Sequence, residues 1–477
     1  MMKVTRTNIR IEPKPERVIP LYLKIIDKTR IERIVSDVLS LGEKTVEETC
    51  NRVLSEFENR HIGFRQILLK NYDSIKAYVP SHSEPSLSGK LLLGLYFTKE
   101  YSVEYTALFN PSIVIHPDQN GLKNGEVRFI LSLRATGEGH ISSIEFRTGI
   151  ISRAGEITID PSPSKLAGPN KNENSKYSKD FVKKRAEFYN DFNASVFDYL
   201  PEQFSIQEAL QKIVGVTANN KNNLGSTKKA LREIFDTNYD ISFDEGIAIS
   251  SRVIFPASKA EKTGLEDVRF VKFSDHDKTR YLGTYTAYDG RKIRSKIIET
   301  EDFISFRIRQ LYGKAVLDKG MAFFPEKING KYALISRQGG ESISIMYSDD
   351  LYYWDTYKII QEPEREWELL QIGNCGSPVK TAYGWLLLTH AVGPLRKYVI
   401  SATLLDLNNP EIVLATLDKP LIIPNNDERE GYVPNVVYSC GFLMHFEHLI
   451  IPYAISDSIT SFARINIYSL VDELLKK

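Results

Sequence analysis

Apolar residues recur three and four positions apart near the start of the chain, at Ile34, Val35, Val38 and Leu39 and then at Val46, Cys50, Val53, Leu54 and Phe57. This spacing predicts two amphipathic helices, over Ile31 to Leu41 and Val46 to Phe57, interrupted by Gly42. Thr45 followed by Glu48 reads as a capping box for the second. Pro80 to Ser88 is a turn-rich connector. From about residue 105 the pattern changes to short β-rich runs. Five of them, Val127 to Arg134, Tyr281 to Tyr288, Tyr332 to Arg337, Trp385 to Ala391 and Leu449 to Ala454, are each followed by a second strand-like run. The partners are His140 to Phe146, Ile293 to Glu299, Ile343 to Tyr347, Lys397 to Leu404 and Ser461 to Ile467. The last four starts lie about 50 to 65 residues apart, the length of a propeller blade rather than of a sandwich strand. Five such repeats predict five blades.

The interval between the first two repeats is longer by roughly 100 residues and has a different texture. Lys165 to Tyr177 is rich in Asn, Lys and Ser. Phe181 to Phe192, Ser205 to Val214 and Thr227 to Phe235 then read as helices, the last two separated by an Asn-rich linker at Asn219 to Asn223. The fold expected is an all-β five-bladed β-propeller with an α-helical N-terminal extension and a helical insertion. The extension covers 1–100, the first blade 101–152, the insertion 153–245 and the remaining blades 246–477. Amphipathic helices outside a closed propeller need a cover for their apolar face, so the leader is expected to contact a second copy in a homo-oligomer.

Composition narrows the partners. At 477 residues the chain can bury a large core. Its 62 basic and 61 acidic residues nearly cancel, which argues against a nucleic acid or membrane surface held by bulk charge. Any anion must then be held by a local cluster of cations. Met1 to Pro20 contains no long apolar run, and no segment approaches the roughly 20 apolar residues that cross a bilayer. Three cysteines without Cys-X-X-Cys spacing and eight scattered histidines offer no metal site and fit a reducing cytoplasm.

The chemistry centres on Gly264-Leu-Glu-Asp-Val-Arg-Phe270. If this stretch is extended, alternation puts Asp267 and Arg269 on one face and Glu266 on the other. Alone, the Asp-X-Arg reads as a surface ion pair. Further motifs follow in order: Phe324-Pro-Glu-Lys-Ile-Asn-Gly-Lys-Tyr332, Tyr347-Ser-Asp-Asp-Leu351 with Trp354, Gln371-Ile-Gly373 with Ser377-Pro378, and Gly384-Trp-Leu-Leu-Leu-Thr-His390. Together they resemble glycoside hydrolase family 130, which contains β-mannoside phosphorylases and β-mannosidases built on five-bladed propellers. The resemblance covers about 105 to 152 and 245 to 470.

That resemblance implies an inverting enzyme in which Asp267 is the general acid, acting on the glycosidic oxygen through a sugar hydroxyl. A close cation favours the ionised carboxylate, so Arg269 is expected to point at substrate rather than clamp Asp267. In a phosphorylase inorganic phosphate is the nucleophile and co-substrate, and fixed cations must hold it. The candidates are Arg291, Arg309, Lys319 and Arg337. The chain departs from the family in carrying Ser336 before Arg337, where many members have His-Arg. Hydrolysis therefore stays open, with Glu326 or Glu368 as the base that would activate water. Asn110, Arg134, His140, Asp289, His390 and Asn435 are polar groups suited to sugar hydroxyls, although His390 equally suits a satisfied core position. Tyr285, Tyr288 and Trp354 could stack on a sugar, Trp354 reading as structural. Glu428 and Glu430 lie in a loop that borders a leaving-group subsite or faces solvent. The expected function is an inverting glycoside phosphorylase that acts on β-mannoside oligosaccharides, releases mannose 1-phosphate and needs no cofactor. The alternatives are an inverting β-mannosidase and a non-catalytic propeller that binds glycan or protein.

Overall fold

The computed structural model describes residues 3–216, 224–275 and 278–476, so the Asn219 to Asn223 linker lies outside the described residues. Four helices form the leader: α1 (Lys28–Ser40), α2 (Glu43–Phe57), α3 (Phe64–Ile75) and α4 (Leu87–Tyr96). The Asp27 side chain accepts the Thr29 and Arg30 amides and starts α1. In α2 the N-cap is Gly42, with no side-chain cap. Thr45 is already inside the first turn, where its amide donates to the Gly42 carbonyl, so the expected capping box does not form. Ile31, Val35, Val46, Cys50, Leu54, Leu68, Ile75 and Leu91 to Leu93 bury against one another. The apolar faces are covered within the chain, and the argument that they need a second copy falls away.

Five antiparallel meanders follow one another among the described residues. The first comprises Ala107–Ile115, Val127–Thr136, Ser142–Ile151 and Ile157–Ile159. The second comprises Gly264–Asp275, Lys278–Tyr288, Ile293–Thr300 and Ser305–Gln310. One parallel bridge, Gly264 to Ser142, joins these two into a continuous sheet. The third runs from Ala322–Phe323 through Tyr332–Ser336 and Ile343–Ser348 to Lys358–Gln361. The fourth runs from Gln371–Asn374 through Gly384–Val392 and Tyr398–Leu405 to Val413–Thr416. In the fifth, Val437–Tyr438, His448–Ile455 and Ile459–Asn466 are completed by Thr5–Arg6 from the chain's start. The strand pairs read from the sequence are thus the second and third strands of each meander.

Each meander packs face to face on the next. Phe146 and Ile130 meet Phe270 and Ile298. Phe273 and Leu282 meet Phe323, Leu334 and Trp354. Ile335 and Ile345 meet Trp385 and Leu387, and Leu386 and Leu404 meet Leu449 and Ile465. Ile450 and Phe462 of the fifth return to Ile113 and Leu131 of the first. Each such buried side chain contributes on the order of 1.5–3 kcal/mol.

The chain is mostly β but not all-β. Besides the leader it carries α5 (Lys179–Ala186), α6 (Ile206–Val216), α7 (Leu224–Thr237) and α8 (Ile467–Leu475). The interval expected to be a helical insertion also supplies strands, because Tyr239–Ser242 and Asn170–Lys171 extend the outer edge of the second meander. Tyr177, Val182, Phe197, Phe204, Leu231 and Phe235 give its helices a core of their own. No helix of the described residues is long and apolar enough to cross a membrane.

Candidate active site

The strand Gly264–Asp275 pairs with Lys278–Tyr288 in two stretches, and the register slips between Glu266 and Arg269. Asp267 and Val268 therefore oppose one residue of the partner strand, a β-bulge. Asp267 takes φ +55°, a left-handed conformation that Asp tolerates better than most side chains. The first strand of the first meander does the same, with a slip between Phe109 and Ser112 and Asn110 at φ +49°. The bulge overturns the expected alternation. Glu266 and Asp267 both face Arg134, whose Nη2 lies 2.9 Å from Glu266 Oε1 and whose Nη1 lies 3.3 Å from Asp267 Oδ1. Asn110 Nδ2 donates to Asp267 Oδ1 at 2.7 Å. Arg134 is fixed in turn by its Nε on Ser142 Oγ at 2.9 Å and by the Phe109 ring beneath its guanidinium.

Arg269 is buried and makes no hydrogen bond to the Asp267 carboxylate. Its Nη1 donates to the Asp267 backbone carbonyl at 2.9 Å, its Nε to Asn374 Oδ1 at 3.2 Å, and its Nη2 to the Tyr438 hydroxyl at 2.6 Å. Beyond it Asp267, Arg269, Lys319, Arg337, Asn374, His390 and Tyr438 line one cavity. Lys319 Nζ is 3.7 Å from Glu266 Oε2. His390 Nδ1 is 3.1 Å from the Asn374 carbonyl, which assigns the proton to Nδ1 and leaves Nε2 bare, 3.4 Å from Arg337 Nη1. Burial, then the charges of Arg337 and Arg269, hold His390 neutral, well below the usual histidine range. Arg337 Nε is buried without a hydrogen-bond partner, as is Asn110 Oδ1. Arg337 lines the cavity, and Asn110 reaches it through Asp267.

Two carboxyls of the site are driven apart. Burial alone would raise Asp267, but Arg134, Arg269 and Lys319 outweigh it and bring its pKa down to about 2. Asp457 stands in the turn between His448–Ile455 and Ile459–Asn466, at φ +51°. Burial and the charge of Asp267 push it up to about 7, against the pull of Arg134, Arg396 and Lys319.

The remaining candidates do not join this cluster. Arg291 is exposed in a turn that Asp289 organises by accepting the Arg291 and Lys292 amides and the Arg294 guanidinium. Arg309 lies on the outer strand of the second meander, paired with Asp240 at 2.8 Å and stacked on Tyr177, so it fastens the insertion instead of holding phosphate. Glu326 pairs with Lys380 at 2.5 Å, half exposed. Glu368 is buried but accepts the Glu364 and Arg365 amides and the Arg365 guanidinium, so it shapes its own loop. Glu428 is buried between Arg6, at 2.9 Å, and the Tyr453 hydroxyl, neither in solvent nor in a subsite, whereas Glu430 is exposed. Tyr285 is buried with its hydroxyl on Glu261, Trp354 is buried with Nε1 on the Leu351 carbonyl, and Tyr288 is half-buried. Asn435 accepts from Arg429 Nε, and His140 stacks on Tyr432. Sequence reasoning missed Asn374, Tyr438 and Asp457. Asn374 directly follows the Gln371-Ile-Gly373 motif, and that adjacency was the available signal.

A family model described as beta-1,4-mannooligosaccharide phosphorylase, that of glycoside hydrolase family 130, matches residues 224–476. A 1,2-beta-oligomannan phosphorylase of Thermoanaerobacter sp. (strain X514) is 35% identical over 214 residues, 43% of this chain and 69% of that protein. A beta-1,2-mannobiose phosphorylase of Listeria innocua serovar 6a is 30% identical over 213 residues, 43% of this chain and 58% of that protein. The solved structure of a Listeria innocua beta-1,2-mannobiose phosphorylase with beta-1,2-mannobiose aligns at a TM-score of 0.46 and 20% identity. That alignment covers 78% of this chain and 93% of the other.

Proposed function

The chain belongs to glycoside hydrolase family 130, and we propose that it is an inverting β-mannoside phosphorylase whose five meanders are the blades of a five-bladed propeller. The face-to-face packing of each meander on the next, and of the fifth on the first, supports the propeller.

The observation that carries phosphorolysis is the charge of the cavity. Arg134, Arg269, Lys319 and Arg337 stand around Glu266 and around Asp267, which they hold below the usual carboxylate range, with His390 neutral. Four cations against Asp267, Glu266 and an Asp457 pushed up to about 7 leave an excess that suits an anion, and Arg337 adds its guanidinium to the cavity wall. The carboxylates considered as hydrolytic bases, Glu326 and Glu368, are engaged elsewhere. Hydrogen phosphate attacks the anomeric carbon, the bond to the leaving oxygen breaks, and the proton lost by phosphate balances the one the leaving oxygen gains. Asp267 passes that proton through a sugar hydroxyl. It is a carboxylate before the substrates bind, and phosphate bound among the cations offsets the field that holds it ionised, so its proton affinity rises when both substrates are present. Arg269 orients Asp267 through the backbone, and Asn110 and Arg134 fix the carboxylate.

The test is incubation with β-mannobioses of each linkage, with and without phosphate. Mannose 1-phosphate is expected only with phosphate; free mannose released at the same rate without it would overturn phosphorolysis.

A further inference from the structure

The insertion and the second meander enclose another cavity, of about 620 Å³, which shares no lining residue with the one at Asp267. One face of α7 forms a wall, because Gly225, Lys229, Arg232 and Asp236 recur four, three and four positions apart. Leu231 and Ile234 of the same helix turn instead into the insertion's own core. The remaining walls come from Lys171 and Glu173 of the insertion and from Lys259, Asp289 and Arg294 of the second meander and its approach.

Five cations and four carboxylates line this space, but they are not equally free. Arg294 is held by Asp289 at 3.0 Å and by Glu233 at 3.6 Å. Asp236 accepts the Lys259 amide at 2.9 Å, and Lys171 Nζ lies 4.7 Å from the centre of the Tyr239 ring. Three cations, Lys229, Arg232 and Lys259, keep side chains without a partner among the described residues, against one such carboxylate, Glu173. Gly225 brings the first turn of α7, the positive end of its dipole, to the same space. The free charge therefore favours an anion.

The aromatic side chains here offer no face to stack on. Tyr177, Phe235 and Tyr239 are all buried. Tyr177 packs on Phe235 with centroids 5.0 Å apart, and Tyr239 carries Lys296 Nζ at 4.8 Å besides Lys171. The Tyr177 hydroxyl donates to the Asn238 carbonyl and that of Tyr239 to Glu261. A nucleobase would find no ring to lie on, whereas sugar hydroxyls find acceptors in Glu173 and Asp236.

We infer that this cavity binds a phosphorylated sugar, at a site separate from the one where bonds are broken. Lys229, Arg232 and Lys259 take the phosphate, and Glu173 and Asp236 take the hydroxyls. Its volume falls within the roughly 300–1,000 Å³ of small-molecule pockets. Only one buried cluster separates it from the reaction. Tyr239 at 2.8 Å, Tyr285 at 2.6 Å and Lys296 at 2.6 Å share Glu261, and Tyr285 neighbours Thr286, which lines the Asp267 cavity. Binding here stands whether or not the Asp267 cavity works by phosphorolysis.

Isothermal titration calorimetry with mannose 6-phosphate tests the site. The background is Arg337→Ala, which weakens anion binding in the Asp267 cavity, with and without Lys229→Ala and Arg232→Ala, each protein checked for an intact melting transition. Arg337→Ala is expected to bind the sugar phosphate, and adding the two exposed α7 substitutions should lower affinity by at least about tenfold. Mannose, inorganic phosphate and AMP are each expected to bind Arg337→Ala at least about tenfold more weakly than mannose 6-phosphate. No binding to Arg337→Ala, or binding that survives the added pair, would overturn the site. AMP binding as tightly would refute the sugar, and mannose binding as tightly would refute the role of the phosphate. Turnover of β-mannosides by wild type is read separately: its absence would sink the phosphorylase reading and leave this binding result unchanged.

Discussion

Asp267 and Asp457 share one electrostatic environment and respond to it in opposite directions, because the cations lie closer in effect to the first and the charge of the first lies against the second. Asp267→Asn keeps the hydrogen-bonding shape but removes the proton carrier. Turnover is expected to fall on the order of 10²- to 10⁴-fold with sugar binding retained, measured by initial rates and titration. Asp457 gives a pH signature. Its native pKa of about 7 lies above the ordinary aspartate value of about 3.9, so its contribution to stability is full below about pH 4 and is lost as pH rises through about 7. Asp267, lowered to about 2, contributes above about pH 4 and loses its contribution only as pH falls toward 2. Between pH 5 and 8 the Asp457 effect therefore acts alone of the two. The melting temperature of Asp457→Asn, relative to wild type, is expected to improve from pH 5 to about 7 and to level off above it; a constant difference from pH 5 would show that Asp457 is already ionised there.

At the scale of elements, the two bulges show what a single chain hides. Periodicity locates the strand Gly264–Asp275, but a slip of one residue depends on the partner strand, and that slip brings Glu266 and Asp267 together on Arg134. The motif residues Arg269, Lys319, Arg337 and His390 could be read from sequence because they sit in or beside recognisable stretches. Arg309 and Glu368 carry the right chemistry, but local partners claim them: Asp240 for the one, the amides of Glu364 and Arg365 for the other. Elsewhere the leader is tied to the first meander by a buried tetrad. Arg17 meets Glu104 at 2.6 Å and Glu145 at 2.7 Å, while Arg147 meets Glu145 at 3.1 Å and also Glu104. All four side chains are almost wholly buried. Burial and the Glu145 charge push Glu104 up to about 8, so Arg17→Met strips the buried Glu104–Glu145 pair of one of its two cations, and a loss of about 3–5 kcal/mol in urea unfolding is expected. Arg33→Ala, which breaks an exposed pair with Asp37, should cost well under about 1 kcal/mol in the same assay.

For the whole molecule, the site takes residues from all five meanders or the loops between them: Arg134 from the first, Asp267 and Arg269 from the second, Arg337 from beside the third, His390 from the fourth, and Tyr438 and Asp457 from the fifth. Blade-length spacing made the repeats legible, whereas convergence on one cavity is a property of the closed packing and has no local trace. The same holds for charge. A chain with 62 basic and 61 acidic residues looks neutral, yet folding gathers an excess of cations at one point. Such a preformed cluster should bind phosphate without sugar. Binding to the native state alone at a hundredfold excess over Kd stabilises it by about 2.7 kcal/mol. Phosphate is therefore expected to raise the melting temperature by several degrees. Arg337→Ala should abolish that rise, since it removes a guanidinium from the cavity wall, while Arg291→Ala, in its exposed turn, should leave the rise intact. A phosphate-dependent shift that survived Arg337→Ala would place the anion elsewhere and remove the charge argument for phosphorolysis.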